Sequence, residues 1–297
     1  MRRVVPFLAF AVLTAACESE PGPDAGDAPP PPETQTRLPI VVDGFAAPEA
    51  AVHDPDADVY LIANINGEPT GRDGNGFITR LTPAGEIESL KWIDGEAEGV
   101  DLDAPKGMAL SGDTLFVADI DVVRLFHRTS GAPLGNWAVP GGQFLNDVTV
   151  AADGRLYVTD TMAGTVYRLG PEGPEEIVTD EALGGPNGIV ALPDGRLLVV
   201  GFMGVGTHSV DPATGAVEAQ PGPTTAQSDG VVLLSDGAYL IANWEAAAIL
   251  RMVPGSAEAD TVVRGVDSPA DIAWDATRGR VIVPLLTRDR VEIHAVD

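Results

Sequence analysis

A unit that returns about every 40 residues constrains this chain more than any other feature. Six segments share one layout: "APEAAVHDPDADVYLIANI", "APKGMALSGDTLFVADI", "FLNDVTVAADGRLYVTDT", "GPNGIVALPDGRLLVVGF", "QSDGVVLLSDGAYLIANW" and "SPADIAWDATRGRVIVPL". Each reads as a loop, an apolar strand, a turn (often Asp-Gly) and a second strand. A third apolar run follows, such as "GTVYRLGP" or "AILRMVPG", and a fourth, such as "EEIVTD", leads into the next unit. Asn146 and Asn187 are 41 residues apart, Asn187 and Asp229 are 42 apart. Four short strands per repeat of roughly 40 residues define the blade of a β-propeller. The apolar period is near two, and 34 Gly and 25 Pro punctuate the turns, which excludes a helical repeat. The expected fold is all-β, a six-bladed propeller over residues 37–297.

A ring of blades must close or leave an open edge. The last unit runs out after its third strand, "RVEIHAV". Its missing outer strand is found near the start, where "LPIVVDGFAAPEA" repeats the pattern of "ADTVVRGVDSPAD". Residues 38–44 are therefore expected to pair with 290–296.

The residue at the mouth of each first strand should face the central axis. Around the ring this slot holds Glu49, Lys106, Asn146, Asn187, Asp229 and Ala270. Asn or Asp before Gly is a common turn signal, and any one of them alone reads that way. Glu49 has no role in a tight turn, and three neighbouring blades give Asn, Asn and Asp in one register. Glu49, Asn146, Asn187 and Asp229 together offer hard oxygen donors, two of them anionic, suited to a divalent cation, Ca²⁺ above all. The single cysteine, Cys17, and four scattered histidines supply no zinc motif.

Charge narrows the partners. Eighteen Lys+Arg against 44 Asp+Glu give a net charge of -26, which a phosphate backbone would repel, so no nucleic-acid partner is expected. The start, "MRRVVPFLAFAVLTAAC", has two arginines, a short apolar run and small residues before Cys17, the layout of a secretory signal over 1–16. "LTAAC" resembles a bacterial lipobox, which implies lipidation of Cys17. Residues 17–36 are rich in Pro and acid and read as a disordered tether. The expectation is a monomeric lipoprotein in the cell envelope, touching the membrane only through its lipid anchor.

The register of these motifs resembles the SMP-30/gluconolactonase/luciferin-regenerating family of six-bladed propellers, over roughly 37–297. "APEAAVHDP" is similar to that family's "PEGPVW" start, with Ala50 in place of Gly. "FLNDVTVAADGR", "PNGIVALPDGR" and "SDGVVLLSDG…W" match its later segments. The resemblance implies Glu49, Asn187 and Asp229 as metal ligands, Asn146 as the substrate-side or water-linked polar group of the catalytic site, and Asp229 as catalytic base. In sugar-lactone members an Arg stands where this chain has Phe144, so a less polar lactone or ester is implied.

Lys106 could orient a substrate carbonyl or balance Glu49 and Asp229. Asp160 and Asn243, at the ends of second strands, read as turn residues able to touch a ligand; Phe144, Met162, Phe202, Met203 and Trp244 as pocket walls or inter-blade packing. The long, Gly-rich stretch from Asn64 to Phe77 reads as a lid over the hub. Two functions stay open: a metal-dependent hydrolase of small lactones or esters, and a non-catalytic ligand- or protein-binding propeller with a structural ion.

Overall fold

The computed structural model describes Met1 and residues 39–296. The signal, Cys17 and tether expectations lie outside the described residues. Twenty-four strands form six four-stranded antiparallel sheets, each one blade. Blades one to five are built from consecutive strands. Their inner strands are Pro48–Asp54, Pro105–Ser111, Leu145–Val150, Pro186–Ala191 and Ser228–Leu233. The inner strand of blade six is short, Ala273–Asp275.

Blade six closes as expected. Its outer strand is Ile40–Asp43, paired antiparallel with Arg290–Ala295 in the register Ile40↔Ile293 to Asp43↔Arg290. On the inner side, Asp271 N–H donates to Glu49 O at 2.9 Å and Ala51 N–H to Asp271 O at 3.1 Å, joining blade six to blade one near the axis.

The apolar alternation of each strand feeds the seams between blades. One cluster joins Leu61 and Ile78 of blade one to Leu115 and Val117 of blade two. Equivalent clusters fill the other five seams, such as Val199 against Tyr157, and Val42 and Ile293 against Tyr60. Each fully buried side chain of this kind contributes about 1.5–3 kcal/mol, so the seams, rather than the polar hub, hold the ring together.

Two local devices position the hub. The first is a brace at the end of second strands, formed by Asn64, Asp119, Asp160 and Asn243, all fully buried. Asp119 accepts from Asp103 N and Ala104 N at 3.1 and 2.8 Å. Asp160 accepts from Gln143 N and Phe144 N at 2.8 and 3.1 Å, and from Ala163 N. Asn243 donates to Ala226 O and Ser228 Oγ and accepts from Ala246 N. Each satisfies backbone groups of the loop that enters the inner strand, which would otherwise be buried without partners.

The second device is a register shift in the inner strand. In blades two to five it falls between Pro105 and Met108, Leu145 and Val148, Pro186 and Ile189, and Ser228 and Val231. Blade one shows it between Pro48 and Ala50. Such a bulge re-aims side chains off the normal pleat. In blades two to five it lies on the slot residue and its successor, and in blade one on Glu49 alone.

Candidate metal and ligand site at the hub

The hub cavity has a volume of about 220 Å³ and is lined by Glu49, Lys106, Asn146, Asn187 and Asp229 among others. Five blades contribute one slot residue each. The sixth slot residue, Ala270, is fully buried but carries no polar group. Glu49, Asn146, Asn187 and Asp229 are 3–6% exposed. Each has a buried side-chain oxygen without a hydrogen-bond partner: Glu49 Oε2, Asn146 Oδ1, Asn187 Oδ1 and Asp229 Oδ1. Buried polar atoms are nearly always satisfied. Four orphaned oxygens in one cavity fit a hard divalent cation of the Ca²⁺ type. Among the described residues no group of three or more His, Cys, Asp or Glu gathers in a metal-binding arrangement. The donor set is two carboxylates and two carboxamides.

The electrostatics of the cavity suit a cation. Burial, then the nearby Asp229 charge, raises the Glu49 carboxyl well above its ordinary range, and Lys106 only partly offsets this. Burial, with Asp147 nearby, pushes Asp229 up to about 8. The indole N–H of Trp244 faces Asp229 and lowers its pKa, but closes no hydrogen bond. Lys106 is fully buried. Burial lowers its pKa against the opposing pull of Glu49 and Asp119. Its ammonium donates to Ala104 O at 2.8 Å and lies 4.6 Å from the centre of the Phe144 ring.

Apart from Phe144, which precedes the inner strand of blade three, the walls come from loops between second and third strands. Ile65 and Pro69 belong to blade one, Thr161 and Met162 to blade three, Phe202 and Met203 to blade four, Trp244 to blade five and Leu286 to blade six. Phe202 and Trp244 meet edge to face at 5.3 Å. The Asn64–Phe77 stretch is a folded rim: Asn66 Nδ2 donates to Asn75 O at 2.9 Å, and Gly74 N–H to Asp103 Oδ1 of the neighbouring blade at 3.0 Å. Of the residues that sequence reading placed near a ligand, Asp160 and Asn243 do not line the cavity. Their polar atoms are committed to the loop brace. None of His53, His127, His208 and His294 lines it either.

Sequence reading missed a second tier. Asp147 directly follows Asn146, and Asp271 follows Ala270. Both line a separate cavity of about 330 Å³, together with His53, Met108 and Trp274. Burial pushes Asp147 up to about 7, against the lowering effect of hydrogen bonds from the Ile189 and Val148 N–H groups. Burial likewise raises Asp271, with Asp147 and Glu49 adding to the effect. The signal was present: where other blades carry Gly107, Gly188 and Gly230, blades three and six carry Asp. Those glycines are not turn residues. A Cβ on Gly107 would lie 2.4 Å from Asp147 Oδ1, one on Gly188 2.4 Å from Asp229 O, and one on Gly230 2.4 Å from Asp271 Oδ1. Neighbouring inner strands simply pass too close for a side chain.

A six-bladed propeller with an oxygen-lined hub is the class that fold and site define. The chain belongs to the SMP-30/Gluconolactonase/LRE-like family, whose model matches residues 75–281. No curated protein matches it. Among solved structures it is similar in fold to a putative gluconolactonase (19% identity, TM-score 0.62, covering 86% of this chain and 92% of that one). It is also similar to a luciferin-regenerating enzyme (15%, 0.62, 86% and 94%) and to a streptogramin B lyase (14%, 0.63, 85% and 94%).

Proposed function

We propose that the protein is a hydrolase of carboxylic esters, lactones included, that works with a divalent cation, calcium by preference. The observation that carries this reading is the set of four partnerless oxygens in one cavity, on Glu49, Asn146, Asn187 and Asp229. These residues would hold the ion. When bound, it would supply Lewis-acid polarisation of the ester carbonyl.

The chain's own groups do the rest. Asp229 would accept the proton of the attacking water at a carboxylate oxygen, as a general base. Asn146 keeps its Nδ2 donors for that water or for the substrate carbonyl. Lys106 brings positive charge to the same cavity and is suited to an oxyanion developing on the carbonyl. The apolar walls exclude bulk water, which strengthens each of these interactions.

The folded domain would sit in the cell envelope, tethered through residues 17–36 and a lipid on Cys17, as a monomer acting on a small molecule.

The deciding experiment is a panel of lactones and aryl esters assayed with the purified domain in calcium and in chelator. Calcium-dependent turnover, lost in Asp229→Ala, is expected. A complete lack of turnover on every substrate would sink the hydrolase reading and leave a binding propeller.

A further inference from the structure

The hub cavity does not stand alone. A second cavity, about 370 Å³, is lined by Thr161, Met162, Met203, Asp180 and Gly185 among others. Thr161, Met162 and Met203 line both spaces. Small-molecule sites usually occupy about 300–1,000 Å³. The hub cavity alone falls short of that range, and the two together fall inside it.

The shared lining is Thr161 and two methionines, Met162 and Met203, from the second-to-third-strand loops of blades three and four. Met162 is 61% exposed and Met203 is 62% exposed. Exposed methionines on a cavity rim are unusual for a solvated loop, and the side chain is flexible enough to shape itself around different apolar groups. The backbone makes room for one of them: a Cβ on Gly185 would lie 2.4 Å from Met203 Cε, and Gly185 has φ +68°. The other walls of the hub cavity, Ile65, Phe144, Phe202 and Trp244, offer few hydrogen bonds to a polyhydroxylated ring. Its polar atoms are gathered on the slot residues.

We infer that the site takes lactones or esters carrying an apolar tail: the carbonyl sits at the slot residues, and an alkyl or aryl tail runs across Met162 and Met203 into the outer cavity. This rests on the hydrolase reading for the chemistry at the carbonyl, but the tail subsite is tested separately from it.

The test uses γ-lactones with unbranched alkyl substituents of one to eight carbons, with glucono-δ-lactone as the polar comparison. In calcium, kcat/KM is expected to rise about fourfold per methylene that enters the outer cavity, which is ~0.8 kcal/mol per buried methylene converted at ~1.36 kcal/mol per decade. The double variant Met162→Gln, Met203→Gln should flatten that rise to less than about twofold per methylene, and Met203→Leu should keep it. Binding is read independently with the matching alkyl γ-lactams, which resist hydrolysis, by the fluorescence of Trp244 against a Trp244→Phe reference. Turnover without chain-length dependence, or with glucono-δ-lactone preferred, overturns the tail inference while the hydrolase reading stands. Lactams that bind more tightly with each methylene, without turnover of any lactone, support the tail subsite and remove the hydrolase reading. Neither turnover nor lactam binding overturns both.

Discussion

Arg128 grips Asp54 across the seam between blades one and two, 74 residues apart in sequence: Nε donates to Oδ2 at 2.8 Å and Nη2 to Oδ1. Asp54 also accepts from Asp56 N and Ala57 N, each at 3.0 Å. Burial alone would raise the Asp54 carboxyl, but these hydrogen bonds and the Arg128 charge outweigh it and hold the carboxyl below its ordinary range. A depressed folded pKa gives stability that is present above the unfolded value of about 3.9 and lost as pH falls through the folded value. Asp54→Asn is therefore expected to cost about 1–3 kcal/mol at neutral pH. The gap to the parent protein should narrow in acid, at pH ~2.5, below the ordinary carboxylate range. Urea denaturation at both pH values checks this; an undiminished gap in acid would show that Asp54 acts through shape and not through charge.

Removal of the proposed calcium ion should destabilise the domain. A ligand that binds only the folded state at a hundredfold excess over its Kd adds about 2.7 kcal/mol. At about 2–4 °C per kcal/mol for a chain of this size, chelation should lower Tm by roughly 5–10 °C. Asp229→Ala should abolish that sensitivity. Asp153→Ala, which alters an exposed turn where Asp153 pairs with Arg155, should retain it. Differential scanning calorimetry with and without chelator reads the result, and an unchanged parent Tm would remove the metal.

The glycines behind the slot make a sharper structural prediction. Gly230→Ala places a methyl group 2.4 Å from Asp271 Oδ1 and 2.5 Å from Asp271 Cα. Overpacking of this kind costs about 1–3 kcal/mol. Gly170→Ala, where nothing lies within 4 Å, should change stability by less than about 0.5 kcal/mol. Equal costs at the two positions, measured by chemical denaturation, would mean that close strand approach is not what Gly230 serves.

Attachment to a membrane is tested in cells. Cys17→Ser should move the protein from the membrane to the soluble fraction, with the melting temperature of the folded domain unaltered. Continued membrane association of the variant, seen by fractionation, would rule out the lipid on Cys17.

The repeat made the blades, the closing strand and the slot legible, because each depends on a pattern that recurs with a fixed period. Asn187 is the instructive case: a poor strand residue at a strand entrance makes sense once the bulge re-aims it into the hub cavity. The bulge itself left no mark in the sequence, since a register shift depends on pairing with a distant partner strand. Asp147 and Asp271 went unnoticed because in a regular pleat the residue after an axial one faces away; their one mark was an Asp where Gly107, Gly188 and Gly230 stand in other blades. Asp160 and Asn243 serve their own loops, as their turn reading expected: backbone donors and acceptors there claim their polar atoms, and no composition or spacing rule gives the partners in advance.

Blade six, drawn from Ile40–Asp43 and from strands beyond residue 272, cannot be made by any contiguous piece of the chain. A chain synthesised from its N-terminus must keep Ile40–Asp43 available until Arg290–Ala295 has been made, so the longest-range pairing comes last and carries the largest closure entropy. Until then the growing product has an uncovered sheet edge, a template for mispairing and a target for degradation. The finished blade covers the edge of Arg290–Ala295 and presents only the four-residue strand Ile40–Asp43 at its rim. Completion of blade six and covering of the Arg290–Ala295 edge are thus one event.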